Sequence, residues 1–202
     1  HAANETGQAL EIAPPVVNLT ADPGEVKDVS ISLRDISENS LVVSGQVNDF
    51  SARGEDGTPQ LNLDDTEANP YSIKSWIDPL KQLTLQPREV KSLPVTIRVP
   101  KNAAPGGYYG VIRFTANAPG VTGNGVSLSA SLGALIFIRV NGDAKESTSV
   151  AEFYTSSKDG TRNWLFESQP VTFVARVKND GNVHEQPTGQ ITVKDIFGNV
   201  VT

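Results

Sequence analysis

The 202-residue sequence contains no cysteine, no methionine and only two histidines. Without cysteine the chain has no disulfide and no thiolate, so burial of apolar side chains is the main source of its stability. Because translation starts with methionine, we expect His1 to follow a segment that has been removed. The longest apolar stretch, residues 132–140, is interrupted by Gly133 and Arg139 and is too short to span a bilayer.

The same scarcities weigh against catalysis. His1 lies at the terminus and His184 beside a turn, so we expect no converging histidine ligands for zinc, and the G-x-S-x-G motif of a Ser-His-Asp hydrolase is absent. We therefore expect a protein that is not an enzyme. The formal charge of −6 disfavours nucleic acid and anionic membrane surfaces, since both need a concentrated positive face. Membrane attachment is expected only through a segment outside this chain.

Apolar residues alternate with polar ones along much of the chain, as in Val95, Ile97 and Val99. This period of two is typical of half-buried strands, and no segment carries a helical apolar stripe with caps. Turn-forming clusters such as Asp22-Pro23-Gly24 bound the strands. We predict an all-β chain that forms an immunoglobulin-like antiparallel β-sandwich, with at most a short helical turn near residues 66–69 or 77–80.

The pattern also divides the chain. We predict a flexible segment over residues 1–9, a sandwich over 10–140, a linker over 141–148 and a second immunoglobulin-like domain over 149–202. The last region has three candidate strands, which make only half a sandwich: residues 150–154, 171–177 and 191–196. We therefore expect a truncated domain with an open edge and an uncovered face, completed by later residues, by the first domain or by another chain.

Two further features bear on the strands of the first domain. The phrase at residues 23–34, PGEVKDVSISLR, is echoed at 87–98 as PREVKSLPVTIR. We expect the two copies to be neighbouring strands entered from the same end. Pro94 lacks a backbone donor, which predicts an edge strand or an outward-facing nitrogen. Gly133, in the middle of residues 126–140, predicts a bulge or bend.

Several phrases follow one another in a family-like order: Pro23-Gly24-Glu25, Ser75-Trp76-Ile77, residues 83–89 and residues 97–112. They resemble the N-terminal domain of the WxL-interacting cell-surface proteins of Gram-positive and related bacteria, and more loosely PapD-like folds. Residues 179–184 look like the start of the second domain of that family. The resemblance implies export, a C-terminal anchor, peptidoglycan binding by the first domain and host-ligand binding by the second.

Aromatic residues are the first candidate ligand-binding group. Trp76, Tyr108, Tyr109 and Trp164 could form a platform on which a glycan stacks, since flat rings bury the apolar faces of sugars. The alternative is that they belong to the core, and Tyr108 and Tyr109 must point to opposite faces of a strand. The ligand-binding hypothesis is placed on Trp76, Tyr108 and Tyr109.

Acidic residues between two strands are the second group. Asp49, Asp56, Asp64 and Asp65, with Glu55 and Glu67 beside them, offer the oxygen ligands that calcium prefers. Their spacing does not match an EF-hand, and a hydrated acidic loop is the alternative. We expect no other cofactor. A Lys to Asn isopeptide cross-link would need Lys27, Lys91 or Lys178, whose alternation places them on polar faces.

These observations lead to three functional hypotheses. The first is a non-enzymatic, exported module at the bacterial cell surface that binds peptidoglycan, another surface protein or a host ligand. The second is a PapD-like periplasmic chaperone that donates a strand to its partner's sheet. The third is a passive stalk that carries another domain.

Overall fold

The computed structural model describes residues 9–55, 57–63, 69–117, 131–158, 160–162, 171–194 and 197–200. The chain divides into two compact units, His1–Asp143 and Ala144–Thr202. The described residues form strands and one short 3₁₀ turn, which confirms the all-β prediction. None of their helical segments has the length and apolarity to cross a membrane. The strands are β1 Leu10–Ala13, β2 Val16–Ala21, β3 Val26–Asp35, β4 Leu41–Arg53, β5 Thr58–Asn62, β6 Leu83–Leu85, β7 Val90–Arg98, β8 Gly106–Asn117, β9 Ser131–Val140, β10 Thr148–Ser156 and β11 Thr172–Asn179.

The first unit is an immunoglobulin-like sandwich, as predicted. One sheet has the order β1-β3-β7, and the other has the order β2-β9-β8-β4-β5 with β6 also paired to β4. Strands β1 and β2 belong to different sheets, so the start of the chain joins both layers. The sandwich departs from the antiparallel expectation where β2 pairs with β9 in parallel.

The core of this unit lies between the two sheets. Alternate residues of β8 and β9, such as Ile112, Phe114 and Ile136, face Val95 and Ile97 of β7 in one buried cluster. Complete burial of each such side chain contributes about 1.5–3 kcal/mol relative to exposure. The period of two in the sequence is thus the signature of two apolar sheet faces that cover each other.

The repeated phrase forms two equivalent turns. Asp22–Glu25 and Gln86–Glu89 each close with a backbone hydrogen bond between their ends. In each turn the carboxylate of the last residue also accepts from the backbone N–H of the first, at 2.8 and 2.7 Å. The third position has φ of +84° at Gly24 and +64° at Arg88. One local sequence therefore specifies one local geometry twice.

The expectation that both copies enter the sheet from the same end is wrong. Strands β3 and β7 are neighbours, but they run antiparallel, so the two turns lie at opposite ends of the ladder. Ser30 pairs with Pro94, its own counterpart in the repeat. A local pseudo-two-fold axis therefore passes through this pair. Because β7 lies at an edge of its sheet in the described part, the edge placement predicted from Pro94 is confirmed.

Gly133 does not mark a bulge. Strand β9 passes Gly133, which pairs with Arg113, without a change of register. A Cβ at this position would lie 2.9 Å from Cγ2 of Val111, so close packing on the strand's outer face accounts for the glycine. The segment predicted over residues 126–140 begins within residues 118–130, which lie outside the described residues.

One segment bridges the two sheets. Ser72 pairs with Tyr109 of β8, and Ile77 pairs with Ile97 of β7. The 3₁₀ turn between them covers Lys74–Trp76, just before residues 77–80, the second of the two predicted places; residues 66–68 of the first place lie outside the described residues. The side chain of Ile73 packs over Gly110, where an added Cβ would lie 2.6 Å from Ile73 Cγ1.

In the second unit the described strands are β10 and β11, which form an antiparallel two-stranded sheet with a register shift between Val150 and Glu152. The strand predicted over residues 191–196 is not found. Lys194 makes an isolated bridge to Val200, while residues 195 and 196 lie outside the described residues. Two asparagine side chains fix the turn after β11. The Asn179 side chain accepts from the Gly181 N–H and donates to the Val183 carbonyl, and the Asn182 side chain accepts from the Lys145 N–H.

Candidate functional site

The predicted aromatic platform is not assembled. Trp76 is only 6% exposed, and its ring centroid lies 4.4 Å from that of Tyr108 inside the core of the first unit. The Tyr108 hydroxyl donates to the carbonyl of Ala104 at 3.1 Å. A buried indole offers no free face to a sugar, so the ligand role suggested for Trp76 is corrected to a packing role. Trp164 lies outside the described residues.

Tyr109 points to the opposite side of β8, as its position beside Tyr108 requires. Its ring meets Phe137 of β9 edge to face at 5.6 Å, and Phe137 meets Phe50 of β4 in the same way at 5.9 Å. All three rings are half-buried. The grouping of Phe50 and Phe137 with Tyr109 could not be predicted, because the cross-strand register that brings them together is not visible in the sequence.

The candidate calcium ligands are mostly outside the described part, since Asp56, Asp64 and Asp65 are not described. Asp49 is half-buried on β4, opposite Asn62 of β5. Its buried Oδ1 has no hydrogen-bond partner. Among the described residues no group of three His, Asp or Glu side chains is placed to hold a metal ion. The calcium hypothesis therefore rests on the sequence alone.

The displaced pKa values belong to surface ion pairs. The Arg98 guanidinium binds Asp78 at 2.8 Å and lowers the pKa of that carboxyl. Hydrogen bonds within the two repeated turns lower the pKa values of Glu25 and Glu89, through Lys27 in the first and the Gln86 backbone N–H in the second. Each of these shifts holds a carboxylate ionised, whereas a general acid needs a raised pKa.

The lysines considered for a cross-link also lie in surface ion pairs. Lys27 contacts Glu25 at 2.6 Å, Lys91 contacts Glu89 at 3.2 Å, and Lys178 contacts Asp180 at 2.7 Å. An isopeptide bond requires instead a buried lysine beside an asparagine. The described contacts therefore give that cross-link no support.

The second unit exposes the apolar side of its sheet. Across the β10–β11 ladder Val150 pairs with Val177, and Phe153 pairs with Ala175. Phe173 stacks on Phe153 with ring centroids 6.4 Å apart. We call these five residues the apolar face. Val150 is 64% exposed, Phe153 55% and Val177 46%, so the side that a complete sandwich would cover is open to solvent.

The other side of the same sheet is polar and more buried. Glu152 accepts hydrogen bonds from Arg162 and Arg176, both at 2.9 Å, and these bonds lower its pKa. The Arg162 guanidinium lies 3.8 Å from the centroid of the Tyr154 ring. The side of the sheet that carries Glu152 and Arg176 is thus less exposed than the apolar face.

A groove lies over the apolar face, with a volume of about 590 Å³. We call it the apolar groove. Its floor is formed by β10 and β11, and its wall by residues 187–192. It is lined by Thr148, Ser149, Val150, Phe153, Ala175, Val177, Pro187, Thr188, Gly189, Gln190, Ile191 and Thr192. An uncovered face was expected here from the sequence, and the strand predicted over residues 191–196 reaches only the end of this wall.

No protein-family profile matches the chain, and no curated protein matches it. Solved structures similar to it include a PapD-like domain of human CEP192, at 12% identity and a TM-score of 0.44, over 70% of this chain and 94% of that one. The class 5 fimbriae chaperone CfaA has 13% identity and a TM-score of 0.46, over 86% and 68%. The E. coli chaperone DraB has 13% identity and a TM-score of 0.44, over 96% and 94%. At these values nothing about a ligand or partner is carried over to this chain.

Proposed function

We propose that this chain is a non-enzymatic binding module, exported and displayed at the bacterial cell surface. The observation that carries the proposal is the exposed apolar face of the second unit. Single exposed apolar residues are ordinary, but a contiguous patch of several marks an interaction surface. The sequence resemblance to WxL-interacting proteins supports the placement in the envelope.

The charge distribution supports a binding role as well. Carboxylates with lowered pKa values, such as Asp78 and Glu152, are each held by arginine at the surface. They stabilise their own strands and loops and do not converge on a cleft. A protein of this kind works by presenting surfaces on a rigid sandwich, with the ligand held by shape and apolar contact.

The test is retention by cell envelope. Purified chain is mixed with insoluble Gram-positive envelope, either intact or treated with protease so that peptidoglycan remains, and the bound fraction is measured after sedimentation. An unrelated β-sandwich domain of similar charge is the control. Retention by intact envelope above the control supports the proposal, and retention that survives protease identifies the polymer as the ligand. Retention no greater than the control's on either material contradicts it.

The chaperone hypothesis makes a different prediction. A chaperone would hold a partner that aggregates when alone, and it would bind that partner before the partner folds. Co-expression with candidate exported subunits, followed by a test of whether each subunit stays soluble without this chain, separates the two functions.

A further inference from the structure

The residues after strand β9 form a dipeptide with a chemistry of its own. Asn141 directly follows β9, and Gly142 comes next. In the described part of the chain, Asn141 is the only asparagine that precedes a glycine. The backbone nitrogen of a residue that follows asparagine can attack the side-chain carbonyl carbon, and glycine has no side chain to hinder this approach. Both residues are exposed, so water reaches them.

The fold requires glycine at position 142. Its φ of +136° lies in a region that residues with side chains rarely adopt. A Cβ there would also collide with the side chain of Pro105, just before β8. Among the described contacts the Gly142 N–H donates to no acceptor, so no hydrogen bond restrains the attacking nitrogen. The backbone geometry thus keeps the reactive partner of Asn141 in place.

Asn141 is held beside a carboxylate. Its backbone N–H donates to the Ala21 carbonyl at 2.9 Å, one step beyond the last pair of the parallel β2–β9 ladder, Ala21 and Val140. Its side-chain Nδ2 donates to Oδ1 of Asp22 at 2.7 Å. An amide satisfies this carboxylate, whereas a second carboxylate in the same place would repel it. The chemical state of residue 141 therefore decides whether this contact is attractive or repulsive.

We infer that Asn141–Gly142 is a site of spontaneous deamidation, and that conversion replaces the hydrogen bond to Asp22 by repulsion between two carboxylates. First, a bond forms between the Gly142 nitrogen and Cγ of Asn141, the Cγ–Nδ2 bond breaks, and ammonia leaves with the proton of that nitrogen. Water then opens the cyclic imide. Cleavage at Cγ gives aspartate, and cleavage at the backbone carbonyl carbon gives isoaspartate, which lengthens the main chain. The inference does not depend on the proposed binding function.

Peptide mapping of the full 202-residue chain tests the chemistry. The folded chain is kept at mildly alkaline pH, and digests are analysed by mass spectrometry for replacement of the amide NH₂ by OH and for isoaspartate. Trypsin cleaves after Arg139 and Lys145, so Asn141 is scored in a short peptide of its own. The peptide that carries Asn124, whose Asn-Gly pair lies outside the described residues, is scored separately.

Asn179 is the internal control. It is also exposed, and its Nδ2 also donates a hydrogen bond, to the Val183 carbonyl at 2.6 Å, but the residue that follows it is Asp180. Conversion at Asn141 should be at least tenfold faster than at Asn179. Equal rates at the two sites, or an Asn141 that stays intact, would overturn the inference.

A double-mutant cycle tests the consequence for Asp22. N141D carries the product from the start and should raise the unfolding equilibrium constant of the first unit roughly fivefold, the effect of two like unit charges about 4 Å apart in water. D22N/N141D restores one amide opposite one carboxylate and should recover most of the loss. Asparagine suits the first position of this turn as well as aspartate does, so D22N keeps the turn. The penalty of N141D should shrink in high salt, which screens exposed charges.

Urea unfolding of these variants and of N141Q gives the remaining outcomes. Glutamine keeps an amide but forms the imide ring far more slowly, so N141Q should stay within twofold of the unchanged chain in stability and should resist conversion. The inferred repulsion is wrong if N141D is as stable as the unchanged chain, or if its penalty persists in D22N/N141D and in high salt. Equal losses in N141Q and N141D would assign the effect to side-chain shape and reject the role of charge.

Discussion

The two units place their phenylalanine side chains in opposite environments. In His1–Asp143, Phe114 lies between two sheets and is fully buried, while ion pairs such as Arg98–Asp78 lie at the surface. In Ala144–Thr202, Phe153 is 55% exposed and the charged Glu152 is on the more covered side. The difference teaches that the alternating pattern specifies a strand with two unlike faces, but which face is covered depends on whether a second sheet is present.

The largest expected effect uses this pair of phenylalanines. Phe114→Ala leaves a cavity in a closed core and should lower the free energy of unfolding of the first unit by about 3–5 kcal/mol. Phe153→Ala removes an exposed ring and should change the free energy of unfolding of the second unit by less than about 1 kcal/mol. Urea unfolding followed by NMR, which reports each unit separately, measures both. Similar losses for the two variants would mean that Phe153 is covered in solution.

The next-largest expected effect compares Gly110 on strand β8 with Gly189 in the wall of the apolar groove. Gly110→Ala forces a methyl group against Ile73, whose Cγ1 would lie 2.6 Å away, and overpacking of this kind costs about 1–3 kcal/mol. Gly189→Ala, beside the open groove, should cost little. Thermal unfolding of both variants tests the contrast. Gly110→Ala should cost less in the I73A background, which lacks Cγ1, whereas an equal cost in both backgrounds would point to the backbone as its cause.

A smaller effect concerns two turns with left-handed glycines. Gly24 has φ of +84° and Gly160 has φ of +86°, so alanine at either position should cost about 1–2 kcal/mol. Each substitution should lower only the unfolding transition of its own unit. Hydrogen exchange measured amide by amide would show this. Loss of protection in both units from one substitution would show that they unfold together.

The smallest expected effect is a pH dependence of the free energy of unfolding. The lowered pKa of Glu152, below its ordinary 4.5, stabilises the second unit above that pH, and the stabilisation is lost as the pH falls through the folded-state value. Glu25, Asp78 and Glu89 act in the same direction in the first unit. Glu152→Gln should therefore flatten the acid dependence of the second unit alone. An unchanged profile between pH 2.5 and 6 would contradict the role given to the two arginines.

Much of the first unit could be predicted from its sequence. Alternation at Val95, Ile97 and Val99 identified β7, Pro94 placed that strand at an edge, and the repeated phrase identified two like turns. The relative direction of the two copies could not be predicted, because a turn specifies the conformation of its own residues and not which neighbour the following strand pairs with. The prediction of a bulge at Gly133 failed for a similar reason. Glycine is required there because a side chain would meet Val111 on the adjacent strand.

The candidate site was less predictable. Trp76 and Tyr108 have the chemistry of a sugar platform, but only the bridging segment between the sheets shows that they face the core. An uncovered face could be predicted, because the sequence of the second unit offers only three candidate strands, which is half of a sandwich. The full wall at residues 187–192 could not be predicted, because only Ile191 and Thr192 fall within the strand predicted over 191–196 and residues 187–190 have no periodic pattern.

The parallel pairing of β2 with β9 has a mechanical consequence. Tension between the start of β2 at Val16 and the end of β9 at Val140 pulls two parallel strands along their length in opposite directions. The force then loads the six residue pairs of this ladder at the same time, so their hydrogen bonds must break together. The β2–β9 ladder is thus placed to resist force applied between these two strand ends.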